Sequence, residues 1–149
     1  MDRNRLLLLM VILIAASLVV IYYPSEKKRV KKVIHRCIES VLHEDVDHLM
    51  EPVSFNYRDD FGGSYAGLRK RAELIFNRFD DFDMTADIMN VTVEGKQAEA
   101  VLKVSIIASE GNERGYLVGD AGGNEDIKVF FEKSPYEWKV IKIERGMNR

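Results

Sequence analysis

The hydrophobic positions of this chain follow three successive patterns. Residues 6–23 are an unbroken apolar run, and residues 30–79 carry apolar side chains at steps of three and four. From Met84 onward, apolar side chains alternate with polar ones. Steps of three and four match the period of a helix, and alternation matches the period of a strand. The sequence therefore predicts one long apolar helix, then a helical region, then a region of strands.

Three amphipathic helices are expected in the helical region. The first begins near Ser25, and its apolar face is formed by Val30, Val33, Ile34, Cys37, Ile38, Val41 and Leu42. A short second segment follows the acidic stretch "HEDVD" and is bent or ended by Pro52. Ser64 is suited to cap the third, whose packed face is expected to be Leu68, Ala72, Ile75 and Phe79. We expect "FDDFD" to break this third helix.

The strand region is divided by turn residues at short intervals. "MTADIMNVTV" passes through Glu94 and Gly95 into "AEAVLKVSIIA", which predicts a hairpin. "YLVG", "IKVFF" and "WKVIKI" follow as further strands. Four or five antiparallel strands preceded by helices predict an α+β domain, in which three helices pack on a curved antiparallel sheet.

The apolar run predicts a membrane-spanning helix. At about 1.5 Å per residue, Leu6–Tyr23 would extend roughly 27 Å, close to the hydrocarbon thickness of a bilayer. A cleaved signal peptide is the alternative, but the small residues Ala15, Ala16 and Ser17 lie inside the run rather than after it. We therefore expect residues 1–24 to be a single transmembrane signal anchor and residues 25–149 to be one folded domain.

Charges on the two sides of the run conflict about its orientation. Arg3 and Arg5 favour a cytoplasmic N-terminus, whereas the larger basic cluster in residues 27–32 favours the reverse. A short basic head before one long apolar run is typical of an export signal. We predict an anchor in the inner membrane of a bacterium with the domain outside the cytoplasm, in the periplasm. The basic cluster either lies against anionic headgroups or is a solvated helix face.

Composition excludes some partners. The 149 residues carry a formal net charge of −2, and no basic stripe interleaved with aromatics is present in the C-terminal part. Nucleic acid is therefore not expected as a partner. The single cysteine, Cys37, lies on the predicted apolar helix face, where a buried structural thiol is expected rather than a nucleophile.

The stretch "NYRDDFGGS", residues 56–64, is the main candidate site. Adjacent carboxylates suit general acid or base chemistry, but the same residues also suit a polar turn. In the turn interpretation, which we favour, Asp59 or Asp60 pairs with Arg58 or Arg69, and Gly62 and Gly63 supply backbone freedom. His35, Glu39 and His43 share a helix face, but no further ligand is evident, so neither a metal nor another cofactor is predicted.

The order of elements and the stretches "VTVEGKQAEAVLKV" and "YEWKVIKIE" resemble the nuclear transport factor 2-like superfamily, which includes SnoaL-like polyketide cyclases and ketosteroid isomerases. The resemblance covers Ser25–Glu144. It implies a cone with a pocket at one end, and we expect Tyr57, Arg58, Asp59, Asp60 and Trp138 to line that pocket. It also implies that Asp60 or Asp59 lies where the isomerases carry their general base. For the oxyanion hole, Tyr116 and Asp120 are considered, but no motif of this sequence matches either residue to it.

We expect a small membrane-anchored binding or interaction domain, with a SnoaL-like or ketosteroid isomerase-like enzyme as the alternative. The enzyme would use Asp59 or Asp60 as general base on an apolar ligand. Partners considered are a small apolar ligand, a protein of a membrane complex and a second copy of the chain. A homodimer would form through the sheet, with Val129–Phe131, Val101, Ile107 and Val118 supplying apolar surface, although burial in the core explains these residues equally well. Trp138 is expected to be either a core residue of the last strand or a wall of the pocket.

Overall fold

The computed structural model describes residues 3–22, 25–60 and 63–146. Its helices are α1 (Arg3–Tyr22), α2 (Glu26–Leu42), α3 (Val46–Met50) and α4 (Tyr65–Arg78). Its strands are β1 (Asp80–Glu94), β2 (Gln97–Glu110), β3 (Glu113–Val118), β4 (Glu125–Lys133) and β5 (Trp138–Arg145). The change from helical to alternating pattern along the sequence is thus the change from helices to sheet, and the α+β class is confirmed.

Side-chain caps fix where the helices of the domain begin. The Ser25 hydroxyl accepts a hydrogen bond from the Lys28 backbone N–H at 3.4 Å. The Asp45 carboxylate accepts one from His48 at 3.0 Å, and the Ser64 hydroxyl accepts one from Gly67 at 3.3 Å. Each cap satisfies an N–H group that has no partner within its helix. The predicted starts at Ser25 and Ser64 are therefore confirmed.

The strands form one antiparallel sheet in the order β1-β2-β4-β5, with β3 also paired to β2. β2 is long enough to pair with β4 near its start and with β3 near its end. The β1-β2 hairpin turns at Gly95, whose φ of 59° suits glycine. Register shifts in the β1-β2 and β4-β5 pairs leave extra residues in β1 and in β5, and such irregularities bend a sheet. The sheet therefore curves around the helix that packs on it.

The core lies between α2 and the facing side of this sheet. α2 contributes Val30, Val33 and Ile34, and β2 contributes the predicted alternating set Ala98, Ala100, Leu102 and Val104. Met50, Tyr57 and Phe131 are each 1% exposed and fill the space between the layers. Large, closely packed side chains therefore fill the interior of the domain between α2 and the sheet.

The predicted break of α4 at "FDDFD" is confirmed, because α4 ends at Arg78 and Phe79 is its C-cap. β1 begins at Asp80 and passes through a left-handed residue, Asp81, at φ 53°. The Asp81 carbonyl accepts a hydrogen bond from Arg114 at 2.9 Å, which holds this kink on the sheet. One helical expectation differs from the structure: Ile75 was expected on the packed face of α4 but is exposed, whereas Ala72 of the same predicted face is buried.

The outer face of the sheet is less apolar than expected for a dimer contact. Val129 and Phe131 point into the core, and Val118 packs against it. Ion pairs cross the strands from Lys103 to Asp126 at 3.1 Å and from Lys128 to Glu99 at 3.8 Å. Val101 and Ile107 are half-buried. Core burial, the alternative explanation, therefore holds for Val129 and Phe131.

α1 lies outside this packed unit. Among the described residues it is the helix long and apolar enough to cross a membrane, and none of its most apolar 18-residue window is buried. That window has a mean hydropathy of 2.8. A signal sequence has the same character, so length and composition support either form of membrane targeting. Tyr23, the last residue of the predicted span, lies outside the described residues.

We predict that Phe131→Ala lowers the free energy of unfolding by about 3–5 kcal/mol, because it removes a buried ring and leaves a cavity. The control is Phe55→Ala, which removes the same side chain at a site 81% exposed and should change stability by less than about 0.5 kcal/mol. Urea unfolding of the full chain in detergent micelles measures both. Similar losses for the two variants would contradict the packing described here.

Candidate functional site

The loop that contains "NYRDDFGGS" runs beside β5. Val140 donates its backbone N–H to Pro52 at 2.7 Å and accepts one from Ser54 at 2.9 Å. Further along, the Arg58 backbone N–H donates to the Ile141 carbonyl at 3.1 Å. These bonds cover the edge of β5 that would otherwise carry unpaired backbone groups. The part of the loop from Pro52 to Arg58 is therefore held in place by the strand.

The Asp59 carboxylate is the most buried acid of this loop, with 5% of its side chain exposed. Its Oδ2 accepts a hydrogen bond from the Arg71 guanidinium at 2.7 Å and one from the Tyr57 hydroxyl at 3.3 Å. Its Oδ1 accepts the Gly63 backbone N–H at 2.7 Å. Both carboxylate oxygens are thus engaged in bonds that tie the loop to α4.

Gly63 is required by this arrangement for lack of space rather than for its backbone angle. A Cβ at this position would collide with the side chains of Arg71 and Asp59. The Asp59 N–H also donates to the Gly63 carbonyl at 3.1 Å, so the turn is closed by main chain and side chain together. The expected role for Gly62 lies outside the described residues.

Tyr57 is buried beside this carboxylate. Burial raises the pKa of its hydroxyl, and the neighbouring Asp59 charge and hydrogen bond raise it further. The hydroxyl therefore stays neutral and acts as a donor to Asp59. Its ring is at the same time part of the core cluster. Tyr57 consequently links the core packing to the position of the carboxylate.

Other residues of the stretch have partners different from those expected. Asp60 is exposed, and its Oδ1 lies 3.0 Å from the Lys142 ammonium. Arg58 donates to the Tyr57 carbonyl at 2.7 Å rather than to either aspartate. Arg69 pairs instead with Asp47 and Glu73. A pair between an aspartate of this loop and an arginine was expected and is present. Its arginine is Arg71, two residues after Arg69 in α4, rather than Arg58 or Arg69.

Trp138 lies at the start of β5, four residues before Lys142 and thus about 13 Å from it along the strand. It is 3% exposed, and its indole N–H donates to the Glu26 carboxylate at 2.7 Å. Trp138 is one of the residues that line a depression of about 430 Å³ between α2 and β5. Five basic residues also line this depression, which we call the basic groove: Lys28, Arg29, Lys32, Arg36 and Lys139. The predicted pocket residues therefore fall into two places, the loop and this groove.

The pKa values of two acids near the basic groove, Glu26 and Glu137, are both lowered by neighbouring groups. Burial alone would raise the pKa of Glu26, but hydrogen bonds from Trp138, Lys133 and Arg29 lower it below its ordinary value. The pKa of Glu137 is lowered first by its hydrogen bond from Lys139 and then by the charges of Lys139, Arg36 and Arg29. Both acids are held ionised by the surrounding cations.

The remaining candidates lie elsewhere. His35, Glu39 and His43 are on the exposed side of α2, and the part of the chain that the structure describes contains no group of three or more side chains placed to hold a metal. Burial raises the pKa of the Cys37 thiol to about 11, which keeps it protonated. Tyr116 is exposed on β3, and Asp120 accepts a hydrogen bond from Gly122 within its own turn.

No family model matches the sequence, and no curated protein matches it either. Comparison with solved structures does find proteins of similar fold. A protein from Novosphingobium aromaticivorans, named as a proposed aromatic ring hydroxylase, superposes with a TM-score of 0.69 at 16% identity, covering 83% of this chain and 90% of its own. A proposed dehydratase of the nuclear transport factor 2-like family from Streptomyces avermitilis gives 0.66 at 12% identity, covering 80% and 93%.

A ketosteroid isomerase-like protein from Erwinia carotovora atroseptica gives a TM-score of 0.65 at 10% identity, with 81% of this chain and 95% of that chain covered. These likenesses show that the chain has the nuclear transport factor 2-like fold, as the resemblance implied. The names of the three proteins point to a hydroxylase, a dehydratase and an isomerase. Since one fold carries such different chemistry, the fold alone assigns none to this chain.

We predict that Arg71→Gln lowers the free energy of unfolding by about 2 kcal/mol, because a buried carboxylate then loses its charged donor. Arg78→Gln, on the same helix, is the matched control. Arg78 pairs with Glu110 at the surface, where solvent screens the interaction, so its loss should be clearly smaller. Thermal unfolding of both variants in micelles measures the difference, and equal losses would argue against a structural role for the Asp59 pair.

Proposed function

We propose that the chain is a membrane-anchored binding or interaction domain with the nuclear transport factor 2-like fold. The observation that carries this proposal is the state of the Asp59 carboxylate. Its two oxygens accept bonds from Arg71, Tyr57 and Gly63, so the most buried acid of the candidate site already serves the structure. A general base needs a carboxylate free to reach the proton of a bound substrate.

The anchor is supported by the character of α1. It carries no charged residue from Leu6 to Tyr22, and none of its residues belongs to the core cluster. Its large exposed side chains would be unfavourable in water, whereas a bilayer would bury them. We infer that α1 remains attached and spans the inner membrane of a bacterium, with the domain in the periplasm.

The alternative is an enzyme of the cyclase or isomerase type. It is favoured by the position of a buried carboxylate, Asp59, beside a neutral tyrosine hydroxyl, Tyr57. Asp60 is the second candidate base, but it is exposed and paired with Lys142. An apolar ligand that displaced Arg71 would be required before Asp59 acted as a base.

A carbon-acid exchange experiment separates the two functions. The full chain in micelles is incubated in D₂O with a panel of apolar cyclic ketones and enones, and deuterium uptake next to the carbonyl is followed by proton NMR. We expect uptake at the rate seen in buffer alone, because the Asp59 carboxylate is already bonded to Arg71, Tyr57 and Gly63. Uptake above that rate that either Asp59→Asn or Asp60→Asn abolishes, in a variant that still folds, would establish the enzyme instead and identify its base.

The orientation of the anchor is tested with reporter fusions after residue 149. Alkaline phosphatase, whose disulfides form outside the cytoplasm, should be active, and a green fluorescent protein at the same position should be dark. The fusion should also stay in the membrane fraction after alkaline extraction, as an uncleaved anchor requires. The reverse pair of reporter results would place the domain in the cytoplasm.

The homodimer through the sheet stays a prediction.

A further inference from the structure

The basic groove holds more positive charge than its own packing needs. Lys28, Lys32 and Arg36 follow one another at four-residue steps and so form one stripe of α2. Like charges at this spacing destabilise a helix rather than support it. Arg29 and Lys139 add two more cations around the same depression, which Glu137 offsets in part.

Some of these cations are neutralised within the fold, and two are not. Arg36 pairs with Glu51 at 2.9 Å, Arg29 with Glu26 at 3.1 Å and Lys139 with Glu137 at 3.1 Å. The ammonium groups of Lys28 and Lys32 make no ion pair or hydrogen bond with the rest of the described chain. The basic groove therefore presents two ammonium groups that no acid of the described chain neutralises.

The covalent chain places this groove next to the end of α1. Ser25 follows Tyr22 by three residues, so their Cα atoms are at most about 11 Å apart. Trp138, which lines the basic groove, donates a hydrogen bond to Glu26, the residue that follows Ser25. In the turn before Trp138, Tyr136 is 77% exposed, and its carbonyl accepts a bond from Arg29 at 2.6 Å. An exposed tyrosine next to a basic residue is typical of a membrane interface.

We propose that the basic groove binds the phosphate groups of anionic phospholipids in the membrane that α1 enters. The lysines Lys28 and Lys32 contact the phosphate, and Trp138 and Tyr136 lie at the level of the headgroups. The negative surface of such a membrane complements the charge of the groove. This inference rests on the proposed anchor, and it identifies the lipid surface as a ligand of the domain rather than only a place of attachment.

Trp138 is the single tryptophan of the chain, so its fluorescence reports on the groove alone. The full chain is reconstituted in phosphatidylcholine vesicles that contain a small fixed fraction of headgroup spin-labelled lipid. Phosphatidylglycerol is then raised from zero to half of the lipid. We expect quenching of Trp138 to increase with the anionic fraction and to saturate.

The variant Lys28→Gln/Lys32→Gln should raise the half-saturating anionic fraction about thirtyfold, which removes the increase from the accessible range. Lys27→Gln/Lys31→Gln is the matched control, since it removes the same charge from the same two turns but leaves the groove lining intact. The control should shift the midpoint much less. Equal effects of the two variants would overturn the site, because general surface charge would then explain the response.

Two further arms separate the remaining outcomes. Inorganic phosphate added at constant ionic strength should leave the quenching unchanged, and reversal by phosphate would make the groove a site for free phosphate instead of lipid. Flotation with pure phosphatidylcholine vesicles tests the anchor by itself. A chain that floats without any Trp138 response keeps the anchor and overturns the lipid site. A chain that does not float overturns the anchor, and the two lysine variants on anionic vesicles then decide the site.

Discussion

The buried carboxylate of Asp59 is the constraint on which the candidate site depends. A charge with 5% exposure is tolerated only when donors replace the water it has lost. Arg71 comes from α4, Tyr57 from the core and Gly63 from the turn itself. Satisfying one carboxylate therefore brings together a helix, a strand-bound loop and the core, and it leaves little of that acid for chemistry.

α2 has two roles on two of its faces. Its apolar face, with Val30, Val33 and Ile34, supplies the helix layer of the core. Its basic stripe faces the groove in which Trp138 lies. The hydrogen bond from Trp138 to Glu26 joins the end of the sheet to the start of the helix, close to where α1 ends. The contacts that fold the domain thus also determine which charges line the basic groove.

The structurally similar proteins illustrate that this fold does not by itself determine an activity. Proteins named for ring hydroxylation, dehydration and isomerisation superpose on this chain at identities of 10–16%. What such proteins share is a curved sheet around a helix, which depends on alternating apolar residues and bends in the strands. Activity depends on a few side chains whose pKa and access the fold does not fix.

The sequence by itself determined the order and kind of the elements, because period, caps and turns are local properties. Ser25 and Ser64 as caps, the hairpin at Gly95 and the core alternation from Ala98 to Val104 were all readable from neighbouring residues. The two faces of β4 and the exposure of Ile75 were not, since both depend on what packs against them.

The site was decided by the tertiary structure for the same reason. That one of two adjacent aspartates is buried and the other exposed follows from how the loop lies on β5. That Arg71 rather than Arg58 or Arg69 neutralises it follows from the rotation of α4. The grouping of Lys28, Lys32 and Lys139 around Trp138 joins residues more than a hundred positions apart. Such contacts are set by packing across the core, which no local pattern encodes.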